Sequence, residues 1–239
     1  MRPSRRRLLA SLGAAATALA GCLGGSGAGA SERVTNTPEP PHGPLGDAPL
    51  PADPETVPYQ TTGSTGPVVT YFGNPKCPYC AEFALGSDRL LSLPAVVAEY
   101  VRPGRLRLRY RGVAYTPDGE PFLGPDAPRA VQAGLAVWET APDDYWSYHE
   151  CVAAHQPPES ERWATADRLV AFAMAAGVEE SEPVRAAVET DQFSDRLTAT
   201  TEAFADSGAD GTPTLVVDGT PYSPFERESL RGALEAVAT

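Results

Sequence analysis

Lysine is almost absent from this sequence: Lys76 is the only one in 239 residues, and every other basic side chain apart from three histidines is arginine. Positive charge is scarce altogether, with 19 Lys+Arg against 31 Asp+Glu and a formal net charge of −12. Nucleic acid demands clustered cations to displace its counterions, so this deficit excludes it as a partner. No uninterrupted apolar run of eighteen residues occurs, which excludes a multi-span membrane protein. Internal repeats are lacking too. What is present is 42% hydrophobic residues in a chain long enough for one or two domains, sufficient for a real core.

The few basic residues are unevenly placed. The first 21 residues hold four arginines and no acid, and the rest of the chain carries 15 basic against 31 acidic residues, a net of −16. Ser4-Arg5-Arg6-Arg7-Leu8-Leu9 resembles a twin-arginine export signal, with Leu8 where Phe is usual, and a mild Ala/Gly/Leu stretch follows. Leu19-Ala20-Gly21-Cys22 then matches a lipobox, where cleavage leaves an N-terminal cysteine for lipidation. Residues 1–21 are therefore set aside as a targeting segment, and Cys22 is the expected lipid anchor. Residues 22–55 are rich in Gly, Ser and Pro, and such composition predicts a tether that buries little. His42 falls within it and is expected in solvent.

From residue 56 the pattern changes. Val68–Phe72 is a β-branched and aromatic run ending at Gly73-Asn74-Pro75, the mark of a buried strand. Thr56–Gln60 is expected to add an edge strand. After the run comes Cys77-Pro78-Tyr79-Cys80 at the start of a helical pattern with Phe83, Leu90 and Leu91, which Pro94 should break or kink. Leu106–Tyr110 alternates as a strand with arginines on one face, completing a βαβ unit with parallel pairing. A helical block follows at about 126–208, with segments at 130–138, 145–154, 164–176, 184–188 and 193–204. Gly177 and Gly208 serve as stops. Thr214–Val217 reads as a strand, Asp218-Gly219 as a hairpin turn, and 224–237 as a final amphipathic helix.

A Cys-x-x-Cys at a strand–helix junction is a redox motif, because the first cysteine sits where free N–H groups and the helix dipole stabilise a thiolate. Cys77 holds that position, Cys80 lies one turn on, and Lys76 is expected to add positive charge beside the pair. A zinc site needs two more ligands, but Cys151, His149 and His155 lie about seventy residues away in no finger pattern; no metal is expected. A purely structural disulfide closing so short a loop stabilises little. Gly211-Thr212-Pro213-Thr214, directly before a strand, is the second signal.

In this order these features resemble a DsbA-like thiol–disulfide oxidoreductase of the thioredoxin superfamily, over about residues 56–239. Tyr145–Glu150 and Ala154-His155-Gln156 resemble that family's insertion helix. The resemblance implies an α/β thioredoxin fold (β-α-β … β-β-α) with a helical insertion. It implies Cys77 as nucleophile, Cys80 as resolving thiol, and Pro213 as a cis proline that shapes the substrate groove with Thr212. The Pro78-Tyr79 dipeptide departs from the Pro-His common in bacterial DsbA. No bound cofactor is expected, since the cysteine pair carries the electrons, and a quinone-linked membrane partner for reoxidation is implied by the family alone.

The expected function is therefore exchange of disulfides with protein substrates outside the cytoplasm, by a protein held at the outer face of the cell membrane. The alternative is a non-catalytic binding lipoprotein, which would have little use for an intact pair and Thr212-Pro213. Glu82 is a candidate proton relay near Cys80. Cys151 is expected as an inert buried hydrophobe, His149 and His155 as independent surface or capping residues, and Trp138, Trp146 and Trp163 as core. Acidity with arginine in place of lysine fits a halophile's solvation strategy.

Overall fold

The computed structural model describes residues 38–39 and 43–238, which fall within one unit, Asn36–Thr239. The expected signal, Cys22, His42 and most of the tether before residue 43 lie outside the described residues. Five strands form one sheet: β1 (Thr61–Thr62), β2 (Val68–Gly73), β3 (Arg107–Gly112), β4 (Thr214–Val217) and β5 (Thr220–Tyr222), in the spatial order β1-β3-β2-β4-β5. β2 and β3 pair in parallel, with Tyr71 beside Tyr110, and the other pairings are antiparallel. Strand period 2 explains the two faces. Val69, Tyr71, Leu108, Tyr110, Leu215 and Val217 point into the main core, whereas Phe72 and Val216 face the other side.

Helix α1 (Pro78–Leu85) covers the first face, where Phe83 meets the Tyr71 ring edge-on at 4.9 Å. The C-terminal helix α8 (Arg227–Val237) buries Leu230 and Leu234 in the same core. Helices α3 (Ala127–Thr140), α4 (Tyr145–His155), α5 (Ala166–Ala175) and α6 (Glu182–Thr190) pack on one another and hold Trp138, Trp146 and Trp163 inside. Helix α7 (Ser194–Asp206) behaves differently from the block it was grouped with. It lies on the second face of the sheet, with Phe204 5.4 Å from Phe72 and Thr200 and Ala199 accepting hydrogen bonds from Arg111. Asp218 and Gly219 both have positive φ, the conformation a two-residue hairpin turn requires between β4 and β5.

Three expectations need correction. The helix after the cysteine motif ends at Gly86, whose φ of 91° closes it before Leu90 and Leu91. Pro94 begins the next helix, α2 (Leu93–Val96), inside its first turn after Ser92, whose Oγ accepts from the Ala95 N–H. A proline needs no N–H partner there. The edge strand is Thr61–Thr62, not Thr56–Gln60, because Pro54–Thr56 is a 3-10 turn. The tether, finally, is docked well before residue 55: Leu45 is fully buried, and the Glu150 carboxylate fills the space a Cβ on Gly43 would need. One leucine with a fitted hole outweighs the polar composition around it. No helix among the described residues is long and apolar enough to cross a membrane.

Candidate active site

The loop from β2 into α1 is shaped by Asn74. Its Nδ2 donates to the carbonyls of Val113 (2.7 Å) and Phe122 (3.3 Å), while its Oδ1 accepts from the Lys76 N–H at 2.7 Å. Its own N–H points at Cys80 Sγ, 3.4 Å away. Cys77 thereby becomes the N-cap of α1, extended at φ −75° and ψ 120°, with Pro78 as the first helical residue. No carboxylate stands in the first turn, so the free N–H groups there face only the cysteines.

The two thiols differ sharply. Cys77 is lowered to about 6, chiefly by the hydrogen bond from Cys80, helped by Thr212 and the N–H groups of Cys80 and Tyr79, against the opposing effect of burial. Cys80 is pushed well up by burial and by its neighbour Cys77. Near pH 7 the resting pair is thus a Cys77 thiolate held by a Cys80 thiol, with Cys77 ~90% ionised.

Thr212-Pro213 faces this pair. Its peptide bond is cis, and the Thr212 carbonyl lies 3.3 Å from Cys77 Sγ. Beyond it opens a groove of about 440 Å³ lined by Tyr79, Arg89, Thr212, Pro213 and Phe225 among others. Tyr79 is 54% exposed and meets Phe225 edge-on at 5.8 Å, and the Arg89 guanidinium lies over the same ring. From the other side Gln156 donates to the Cys77 carbonyl at 3.3 Å.

The thioredoxin family model matches residues 62–236. This chain belongs to the thioredoxin family. Its DsbA-like character is carried by the relatives. It is 25% identical to the probable disulfide bond formation protein D of Bacillus cereus over 195 residues, 76% of this chain and 81% of that one. The disulfide bond formation protein D of Bacillus subtilis is 24% identical over 150 residues, 63% of this chain and 62% of that one. Among solved structures, oxidised BdbD from Bacillus subtilis superposes with a TM-score of 0.64 at 21% identity, covering 79% of this chain and 96% of that one. DsbA from Chlamydia trachomatis gives 0.61 at 20%, covering 74% and 91%. The class is thiol–disulfide oxidoreductase.

In this thioredoxin-family site, several side chains act otherwise than the sequence led one to expect. The Lys76 ammonium is 1% exposed and is held by Asp126 Oδ1 and by the Glu161 carbonyl at 2.9 Å. Its charge is matched by Asp126, and the groups that do most to lower Cys77 are Cys80, Thr212 and the backbone N–H groups of Cys80 and Tyr79. Glu82 is no relay: Arg89 and Ser87 bind it at the surface, holding its carboxyl below the usual range. Glu82→Gln is expected to leave the rate of disulfide resolution at the wild-type value, whereas loss of a working relay would slow it ~100-fold or more; stopped-flow measurement decides.

His149 is half-buried and not a free surface residue. Its ring packs 5.0 Å from Tyr110 and 6.2 Å from Tyr71, on the Cys80 side of the sheet. His155 instead sits exposed at the C-terminal end of α4, its Nδ1 2.9 Å from the Cys151 carbonyl. Cys151 is fully buried, and burial raises it to about 11, as an inert thiol requires. Asn74, Asp126, Gln156 and the two tyrosines escaped the sequence reading. Only Asn74 carried a local signal, in the Gly73-Asn74-Pro75 turn. Among the described residues no cluster suited to a metal ion occurs.

Proposed function

We propose that this protein exchanges disulfides with protein substrates outside the cytoplasm, through Cys77 and Cys80. The observation that carries the reading is the depressed Cys77 thiol at the start of α1, facing Thr212 and the cis Pro213 beside an open groove. In the oxidising direction a substrate thiolate attacks Cys77 Sγ of the Cys77–Cys80 disulfide. Cys80 leaves with the electron pair and a mixed disulfide forms. A second substrate thiolate then attacks the substrate sulfur, a substrate disulfide forms, and Cys77 departs as a thiolate. A low thiol pKa makes Cys77 a good leaving group in that last step. Tyr79 and Phe225 supply apolar surface for an unfolded chain, and the backbone around Pro213 offers it polar groups.

Location follows from the leader: the arginine pair and lipobox support export and anchoring by lipid on Cys22, with reoxidation by a quinone-linked membrane protein. The acidic surface supports a saline setting, and a domain that keeps its fold and activity after dialysis to low salt argues against that setting. Cys80→Ser should trap substrates on Cys77 as mixed disulfides that survive acid quenching and non-reducing electrophoresis. Absence of any such adduct with reduced, unfolded protein thiols would sink the exchange reading. Cys22→Ala should move the protein from the membrane to the soluble fraction; an unchanged distribution removes the anchor.

A further inference from the structure

Each pass of the exchange puts a proton on Cys80 or takes one off, yet Cys80 is only 5% exposed. Behind it lies a cavity of about 30 Å³, lined by Cys80, Asn74, Tyr110, Tyr145, His149 and Gln156 among others. That is room for one water molecule. Two buried oxygens without a protein partner line it, Tyr110 Oη and Gln156 Oε1, and the Tyr71 hydroxyl stands against Cys80 beside it. Tyr71 can lie beside Cys80 because residue 73 is glycine; a Cβ there would come within 2.7 Å of the phenol oxygen. Buried polar atoms left without partners are costly, so a single water bridging them is the economical filling.

The chemistry of the lining is narrow. From the turn after β2 it receives Asn74 and Pro75, from β3 Tyr110, from α1 Cys80 itself and Ala81, and from α3 only Ala130, Val131 and Gly134. Helix α4 gives Tyr145, Tyr148 and His149, with the Tyr145 hydroxyl 3.4 Å from His149 Nδ1. None of these is a carboxylate, and Glu150, next along α4, is engaged by the Leu45 N–H instead. His149 is the one group there able to accept a proton as a neutral base.

We propose that His149, acting through one water held in this cavity by Tyr110, accepts and returns the Cys80 proton during exchange. This rests on the exchange reading above. When Cys80 resolves a mixed disulfide, its S–H bond breaks and the proton passes through the water to the imidazole. The Cys80–Cys77 S–S bond forms as the Cys77–substrate S–S bond breaks. The substrate leaves as a thiolate with the electron pair, so the substrate is reduced and the cysteine pair oxidised. The imidazolium then returns its proton through water to solvent, where the departing thiolate takes it up. In the opposite direction Cys80 leaves as a thiolate and the same path supplies its proton. Burial among the aromatic rings lowers His149 to about 4, so the imidazole is neutral when the Cys80 proton reaches it and holds that proton only briefly before passing it to solvent.

The test follows resolution directly. Reduced wild-type protein, His149→Gln and Tyr110→Phe are mixed with excess glutathione disulfide, quenched in acid, and the Cys77–glutathione adduct is counted by mass spectrometry. His149→Gln should resolve at least ~100-fold more slowly at pH 7 and accumulate the adduct, with the rate recovering toward wild type near pH 10 as hydroxide takes over. Tyr110→Phe, which removes only the oxygen that holds the water, should slow resolution ~3–10-fold. Neither variant should move the equilibrium potential, which a merely structural disturbance of the pair would shift. An adduct that resolves within twofold of the wild-type rate in both variants overturns the proposal, and if His149→Gln does not fold, Tyr110→Phe alone decides in the same way. A wild-type protein that forms no adduct at all overturns the exchange reading, and this inference with it.

Discussion

Serine in place of Cys77 is expected to reduce thiol–disulfide exchange to the uncatalysed background, a loss of a thousandfold or more on the order of a missing covalent nucleophile. The same thiol sets a pH signature in the wild type. Its pKa falls from 9.0 to about 6 in the folded dithiol form, whereas Cys80 is raised. Above pH ~6 the reduced pair therefore holds one proton, on Cys80, and below it holds two. For a two-electron couple the midpoint potential should change by about 30 mV per pH unit above that point and about 59 mV below it. A redox titration from pH 4.5 to 8.5 reads the break directly, and a single slope of 59 mV throughout contradicts a stabilised thiolate. Iodoacetamide should modify Cys77 with a midpoint near pH 6, while Cys80 and the buried Cys151 stay inert.

The sign of the stability effect follows from the same shift. A thiol whose folded pKa is depressed favours the folded dithiol form above the unfolded pKa, and this contribution fades as pH falls through about 6. Reduced wild type should thus gain on Cys77→Ser between pH 6 and 9, while the oxidised protein, having no thiol there, shows no such trend. Thiolates at pKa ~7 in thioredoxin and ~3.5 in DsbA bracket this one. A potential between their values, about −270 and −120 mV, is the corresponding expectation.

Asp126→Ala should cost the fold ~3–5 kcal/mol, because it strands a buried ammonium. Lys76 and Asp126 are 1% and 6% exposed, and they pair at 2.5 Å. Asp126 Oδ2 also accepts from the Ala164 N–H at 2.9 Å. Burial alone would raise this carboxyl, but Lys76 and that N–H hold it below its ordinary value. Its contribution is complete above the unfolded carboxyl pKa and is lost as pH falls through the folded one. For a chain of this size the variant's Tm should drop by ~6–20 °C. Replacing both partners, Lys76→Met with Asp126→Leu, should recover most of that loss, since an apolar pair needs no compensation. The double variant also isolates electrostatics: the Cys77 alkylation midpoint should stay near 6, because the groups that do most to lower it are left in place. A Tm within 2 °C of wild type for Asp126→Ala, about the effect of a surface pair, would show that the ammonium is not trapped.

Much of this was open to reading along the chain. Val68–Phe72 is a short run of β-branched and aromatic residues, so β2 forms where expected. Asp218-Gly219 can take the positive φ of a hairpin, and β4 and β5 meet there. Cys77 and Cys80 lie three positions apart on a helix start, and no distant residue is needed to bring them together. The errors share a cause. The six-residue spacing of His149 and His155 says nothing of which side of α4 is covered, so the half-buried place of His149 is invisible in it. In fact α4 buries residues on most of its circumference, among them Tyr145, Trp146, Tyr148, Cys151 and Val152, so no amphipathic stripe marks an inner face. Leu45 sits in a polar, proline-rich stretch whose composition argues for solvent, yet one side chain finds a hole in the core.

The sequence by itself determined the cysteine pair and the strand–helix junction that presents it, because both depend on backbone preferences acting over a few residues. Tertiary structure alone decided what surrounds the pair. It brought Asp126 to Lys76 and Thr212 to Cys77, and it laid His149 and two tyrosines behind Cys80. Those partners come from separate elements packed on one sheet. Their charge, burial and hydrogen bonds exist only once the chain has closed.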